Sequence, residues 1–120
     1  MVVNLEVTIP LRHPGAKPSN YFAGSFHSVV WSIAHGPVAL AIHAAFGLVL
    51  VLTVIGVAIY ALRLREGVLA AWSTLAALLV IGAGFNGASF LDYNKNASSL
   101  IMALLAFAAV GCYSVVMFLW

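Results

Sequence analysis

The sequence predicts an all-α membrane protein: a bundle of three or four helices, with an amphipathic or short first helix, three clear transmembrane spans and an extended N-terminal tail. Three observations carry this. Fixed charges occur in only three places: Glu6, Arg12 and Lys17 in the tail, then Arg63, Arg65 and Glu66, then Asp92 and Lys95. The runs between and after them (19–62, 67–91 and 96–120) contain no Asp, Glu, Lys or Arg, and each is long enough to cross a bilayer core, which takes about 20 apolar residues at about 1.5 Å each. Finally, 64% of the chain is hydrophobic and 7% charged, against about 45–50% and about 25% in a soluble domain. A chain of 120 residues folded in water could not hide that much apolar surface, so lipid has to be its solvent.

The tail, 1–19, opens with Val3-Asn4-Leu5-Glu6-Val7-Thr8-Ile9, which alternates apolar and polar until Pro10. That period of two is the pattern of a half-buried strand, yet the chain holds no second strand to pair with it. It reads either as a loose terminus or as a strand offered to a sheet on a partner protein. Pro10, Pro14 and Pro18 then make an extended linker.

The helical domain, 20–120, divides at about 20–35, 38–62, 68–91 and 98–120. The first segment carries Ser25, Ser28, Ser32 and His35 at near-helical spacing, with Phe22, Phe26, Val29, Val30 and Ile33 largely on other faces, and it stops at Gly36-Pro37. At about 24 Å it is short for a span. It lies either in the interface or against protein. Pro37 can start the next helix, and Asn96 or Ser98 can cap the last one. Tyr60, Trp72, Tyr93 and Trp120 fall where aromatic residues meet the membrane surface. Helix length argues for three crossings. The positive-inside rule argues for four with both ends cytoplasmic, since Arg12, Lys17, Arg63 and Arg65 then share one side, and the balance leans to four.

Composition also excludes. The net charge of +2 rests on five basic residues that form no stripe able to track phosphates, which argues against nucleic-acid binding. The single cysteine, Cys112, allows no internal disulfide. The N-terminus lacks the pattern of a signal peptide, so the spans themselves are expected to target the chain to the cell membrane. No Ser/His/Asp or Cys/His set, no H-E-x-x-H and no pair of intramembrane carboxylates is present, so no enzyme activity is expected. The acidic residue that small four-helix multidrug exporters use in their first helix is missing, and no fluoride-channel motif is found.

His27, His35 and His43 recur every eighth residue within the first charge-free run. Neutral imidazole ligates haem iron and can hydrogen-bond a quinone carbonyl. A fold-back at Gly36-Pro37 would bring His27 and His43 to comparable depth on neighbouring helices, as a candidate pair of iron ligands for haem b. The alternative is a set of buried histidines that only tie helices together.

Gly82-Ala83-Gly84-Phe85-Asn86-Gly87 matches G-x-G-x-x-G, but it follows no strand and opens no βαβ unit, so it is no dinucleotide fingerprint. Its small residues four apart, Ala83 with Gly87 and Gly84 with Ala88, suit close helix packing, with Asn86 as an interhelical hydrogen-bonding group. Ser99 with Ala103, and Ala108 with Cys112, repeat the spacing in the last helix. The Asp92–Asn96 stretch reads as a solvated turn.

The stretch Phe85-Asn86-Gly87-Ala88-Ser89-Phe90-Leu91-Asp92-Tyr93, followed by Ser98-Ser99-Leu100-Ile101-Met102, resembles a pattern in small uncharacterised prokaryotic multi-pass membrane proteins. His43 followed by Phe46-Gly47 is similar to the start of their preceding helix. The resemblance implies a multi-pass fold and no activity. Taken together, the residues lead to the expectation of a non-catalytic integral-membrane subunit of a larger complex, with lipid and other membrane subunits or further copies as partners. The alternative is an electron-transfer subunit using the three histidines. A small homo-oligomeric channel or carrier would need a continuous polar pathway, and none can be traced.

Overall fold

A computed structural model describes residues 20–93 and 96–120. The strand-like tail, its proline linker and the centre of the turn at Asn94-Lys95 lie outside the described residues. Four helices and no strand are found among the described ones: α1 (Tyr21–His35), α2 (Val38–Leu64), α3 (Gly67–Tyr93) and α4 (Asn96–Leu119). Three of them, α2, α3 and α4, are long and apolar enough to cross a membrane. At 15 residues, α1 is shorter than the about 20 a crossing needs.

The helix ends follow local chemistry. Asn20 caps α1, its side-chain oxygen accepting from the Ala23 N–H at 3.2 Å. At the other end the Gly36 N–H donates to the Ser32 carbonyl at 3.1 Å. A Cβ on Gly36 would run into that same carbonyl oxygen, so the close turn admits glycine alone. Pro37 then starts α2, where its missing N–H costs nothing. The α2–α3 turn is made by Arg65 in the left-handed conformation (φ 59°), its N–H donating to the Leu62 carbonyl at 3.3 Å. Asn96 is the first helical residue of α4 and Ser98 lies within its first turn.

The middle element is α3. It packs on α4 most extensively, then on α2, and also carries α1, which lies across α2 and α3. One apolar cluster, Val54, Ala58, Ala77, Val80 and Ala109, joins α2, α3 and α4, with Val51, Leu79 and Tyr113 packed against it. A second joins Leu40, Leu91, Val29 and Phe90. The Phe22 and Phe85 rings meet edge to face with centroids 5.7 Å apart. Phe22 therefore sits by Phe85 and Val29 against the cluster of Leu40 and Leu91, so α1 runs parallel to α3 and covers only the end of the bundle where α3 turns into α4. The described bundle measures 47 × 25 × 22 Å.

The orientation of α1 decides between the two settings that its pattern allowed. Ser28 and Ser32 are 0% exposed and Ser25 is buried, whereas Phe22 and Phe26 are 69% and 68% exposed. In water that arrangement would be inside out. In lipid it is the expected one, because the tails accept Phe freely and small hydroxyl residues let helices approach closely. The Ser32 hydroxyl donates to the Ser28 carbonyl at 2.8 Å. The polar face of α1 thus looks into the protein.

Candidate functional site

The residues singled out for packing gather on the second half of α3, where its glycines face different neighbours. A Cβ on Gly82 would stand 3.2 Å from Leu105 Cδ1, and one on Gly87 would stand 3.0 Å from Met102 Sδ, both on α4. A Cβ on Gly84 would instead meet Val51 Cγ2 of α2 at 3.6 Å. Ala83 and Ala88 are buried, and Phe85 reaches α1 through Phe22. The G-x-G-x-x-G stretch is therefore a helix interior whose glycines admit neighbours from two helices, α4 and α2, while Phe85 meets a third. Its spacing showed the smallness but not the directions, which depend on where the other helices lie.

Asn86 does not bridge helices through the bond that the structure gives it. Its Nδ2 donates to the Gly82 carbonyl at 2.9 Å, one turn back on the same helix. An amide in an apolar setting needs a partner, and its own backbone is the nearest one.

On α4 the buried positions are Ser99, Ala109 and Cys112, with Ala103 half-buried between them. Ala108 is exposed. The seam follows Ser99, Met102, Leu105, Ala109 and Cys112, the period of a helix against a straight neighbour. Ala108 is displaced from that line by about 100°, the turn of one residue, so Ala109 takes the place expected for it. Cys112 is a free, buried thiol.

The three histidines lie apart from these seams. His27, His35 and His43 are all exposed. His27 neighbours the Phe26 ring at 6.3 Å on the outer side of α1, His35 ends that helix, and His43 projects from α2 beside half-buried Ala44 and Ala45. Val29 packs with Leu40, which puts His27 and His43 at comparable depth, as the fold-back at Gly36-Pro37 predicts. Among the described residues no group of three or more His, Cys, Asp and Glu side chains could hold a metal ion.

Two polar groups escaped the sequence reading. The Thr74 and Tyr113 hydroxyls are both sealed from solvent and have no hydrogen-bond partner among the described residues. The only signal for them was a hydroxyl inside each of two apolar runs, and that is common in membrane helices. Elsewhere such groups turn back on their own helix: Thr53 donates to the Val49 carbonyl at 2.8 Å and Ser114 to the Val110 carbonyl at 2.9 Å, both at exposed positions.

These features define a small helical membrane protein with three helices able to span a bilayer and a short fourth one docked on them. No known family model, curated protein or solved structure matches the chain.

Proposed function

We propose that this chain is a non-catalytic integral-membrane subunit of a larger assembly in the cell membrane. The observation that supports it is the openness of the two outer spans. Only 11% of the central apolar stretch of α2, and 11% of that of α4, is buried, against 33% for α3. Lipid can cover exposed leucine and phenylalanine at no cost. Exposed glycine is different, because its use in a membrane helix is to let another backbone come close. Gly47 and Gly56 on α2 and Gly111 on α4 have nothing within 4 Å of where a Cβ would be, and Ala108 is exposed close by Gly111. The inner glycines of α3 perform that task within the chain; the outer ones are suited to a helix from elsewhere, either a different subunit or another copy.

Extraction of the natural membrane in mild detergent, with cross-linking and mass spectrometry, tests this. The expected result is a particle containing the chain together with a partner or further copies, in fixed ratio. A single chain in its micelle, with no cross-linked neighbour in the membrane beforehand, would remove the proposal.

A further inference from the structure

We propose that Arg63 and Arg65, at the turn between α2 and α3, hold the headgroup phosphates of anionic lipids. Helix length sets the depth of that turn. α2 and α3 have 27 residues each, about 40 Å at about 1.5 Å per residue, whereas the hydrocarbon core is about 30 Å thick and the whole bilayer about 40–45 Å. Their ends therefore stand in the headgroup layer, and only Arg65 and Glu66 connect them. So short a turn cannot carry its charges on into bulk water.

Aromatic residues mark the same level. Gly82 faces Leu105 and Gly87 faces Met102, so α4 runs antiparallel to α3 and ends, at Trp120, on the side of this turn. Tyr60 and Trp120 are exposed and Trp72 is half-buried, as rings at a membrane surface are. Arg63 lies one helical turn beyond Tyr60.

The backbone at Arg65 gives an independent reason. Its φ of 59° is the left-handed conformation, which no other non-glycine residue adopts among the described ones. A helix that ends this way ordinarily does so with glycine, which has no Cβ to crowd. Arginine there costs stability, so its side chain is kept for something else. That partner is not found within the chain: Arg63 and Arg65 are both exposed, and neither guanidinium is paired among the described residues.

The chemistry of the turn specifies the ligand. Glu66 is also exposed and stands at the start of α3, where the helix dipole favours a negative group. Two arginines against one glutamate leave the turn net positive. A guanidinium is planar, always charged and matched to phosphate oxygens by paired N–H donors. At this depth it meets the phosphates of the bilayer. A headgroup with net negative charge suits it better than one that balances its phosphate with an amine.

Spin-labelled phosphatidylglycerol and phosphatidylcholine, offered in turn to the full chain in phosphatidylcholine bilayers, test this through the immobilised fraction of each. The parent should select phosphatidylglycerol, each arginine contributing up to about fivefold, the share of one basic residue beside an anionic surface. Arg65→Gly separates binding from folding. It should unfold no earlier than the parent in neutral detergent, since glycine suits that backbone, and yet select phosphatidylglycerol less. Earlier unfolding would show that the side chain supports the chain itself, against the proposal. Arg63→Gln combined with Arg65→Gly should select neither lipid. A parent without preference, or a preference that survives the double change, would overturn the site and leave the arginines as orienting charges only. Loss of the preference on adding inorganic phosphate, at an ionic strength matched with chloride, would show a site for free anions and would equally overturn the assignment to lipid.

Discussion

Gly87 of α3 lies directly against Met102 of α4: a Cβ at position 87 would stand 3.0 Å from the Met102 sulfur. That distance is tight, but the obstacle is the end of a flexible side chain. Alanine at 87 should therefore be absorbed by a shift of Met102, whereas leucine should force the helices apart. Gly87→Leu is expected to lower stability in detergent by about 1–3 kcal/mol, the range for an overpacked core. Gly84→Ala, with Val51 at an ordinary 3.6 Å, should unfold with the parent. Reversible denaturant unfolding followed by circular dichroism checks both.

The turn at Gly36 should be far less forgiving. Its absent Cβ is directed at the Ser32 carbonyl, and backbone cannot step aside as Met102 can. Gly36→Ala should undock α1 while leaving α2, α3 and α4 packed. Trp31, half-buried on α1, reports this: its fluorescence should shift and its quenching rise at a lower denaturant concentration than global unfolding. Coincident transitions would count against a separable α1.

On the outer faces the expected pattern is reversed. Leucine at Gly56 or Gly111, where nothing lies within 4 Å, should leave the unfolding of the isolated chain within about 0.5 kcal/mol of the parent. The same changes should break the association proposed for these faces, read as loss of the cross-linked partner. A partner retained by both variants would place the interface elsewhere.

Substitution of His27, His35 or His43 by alanine should change stability little, within about 0.5 kcal/mol, as for other exposed positions. A visible spectrum of the purified chain is the companion measurement. A Soret band that disappears with His43→Ala would show that the exposed imidazoles meet a haem.

Labelling from the two sides of the membrane checks the arrangement of the spans. Cysteines placed at Ala39 and Asn96, which the fold puts at one end of the bundle, should react from the same side. A cysteine at Glu66 should react from the other. Cys112 is buried and should stay silent in all three. Reaction of positions 39 and 96 from opposite sides would contradict the antiparallel order of the helices.

The spans were legible because charge is so costly in hydrocarbon that Arg63, Arg65, Glu66 and Asp92 could only stand near their ends. The break before α2 was legible too, since Gly36-Pro37 acts through local sterics. What could not be read was direction around each helix axis. The serines of α1 were visible as a stripe, but whether a stripe faces inward or outward depends on the solvent, which a periodicity does not name. Ala108 and Ala109 are chemically identical, and only the position of α3 makes one buried and the other exposed. Asn86 could bond a neighbour or its own helix, and the choice rests on which carbonyl is nearer.

The central place of α3 bears on how the chain is made. Ribosomes deliver α1 and α2 first, yet the element both lean on has not then been synthesised. Until α3 follows, Ser25, Ser28 and Ser32 have only α2 to turn towards, and Val54 and Ala58 lack the Ala77 and Val80 they pack with. The last helix is in the opposite position, arriving to find its seam already built. Packing of these helices in the membrane should therefore wait on the third, and a ribosome stalled between Leu64 and Gly67 would leave a hairpin with its hydroxyl face unclaimed.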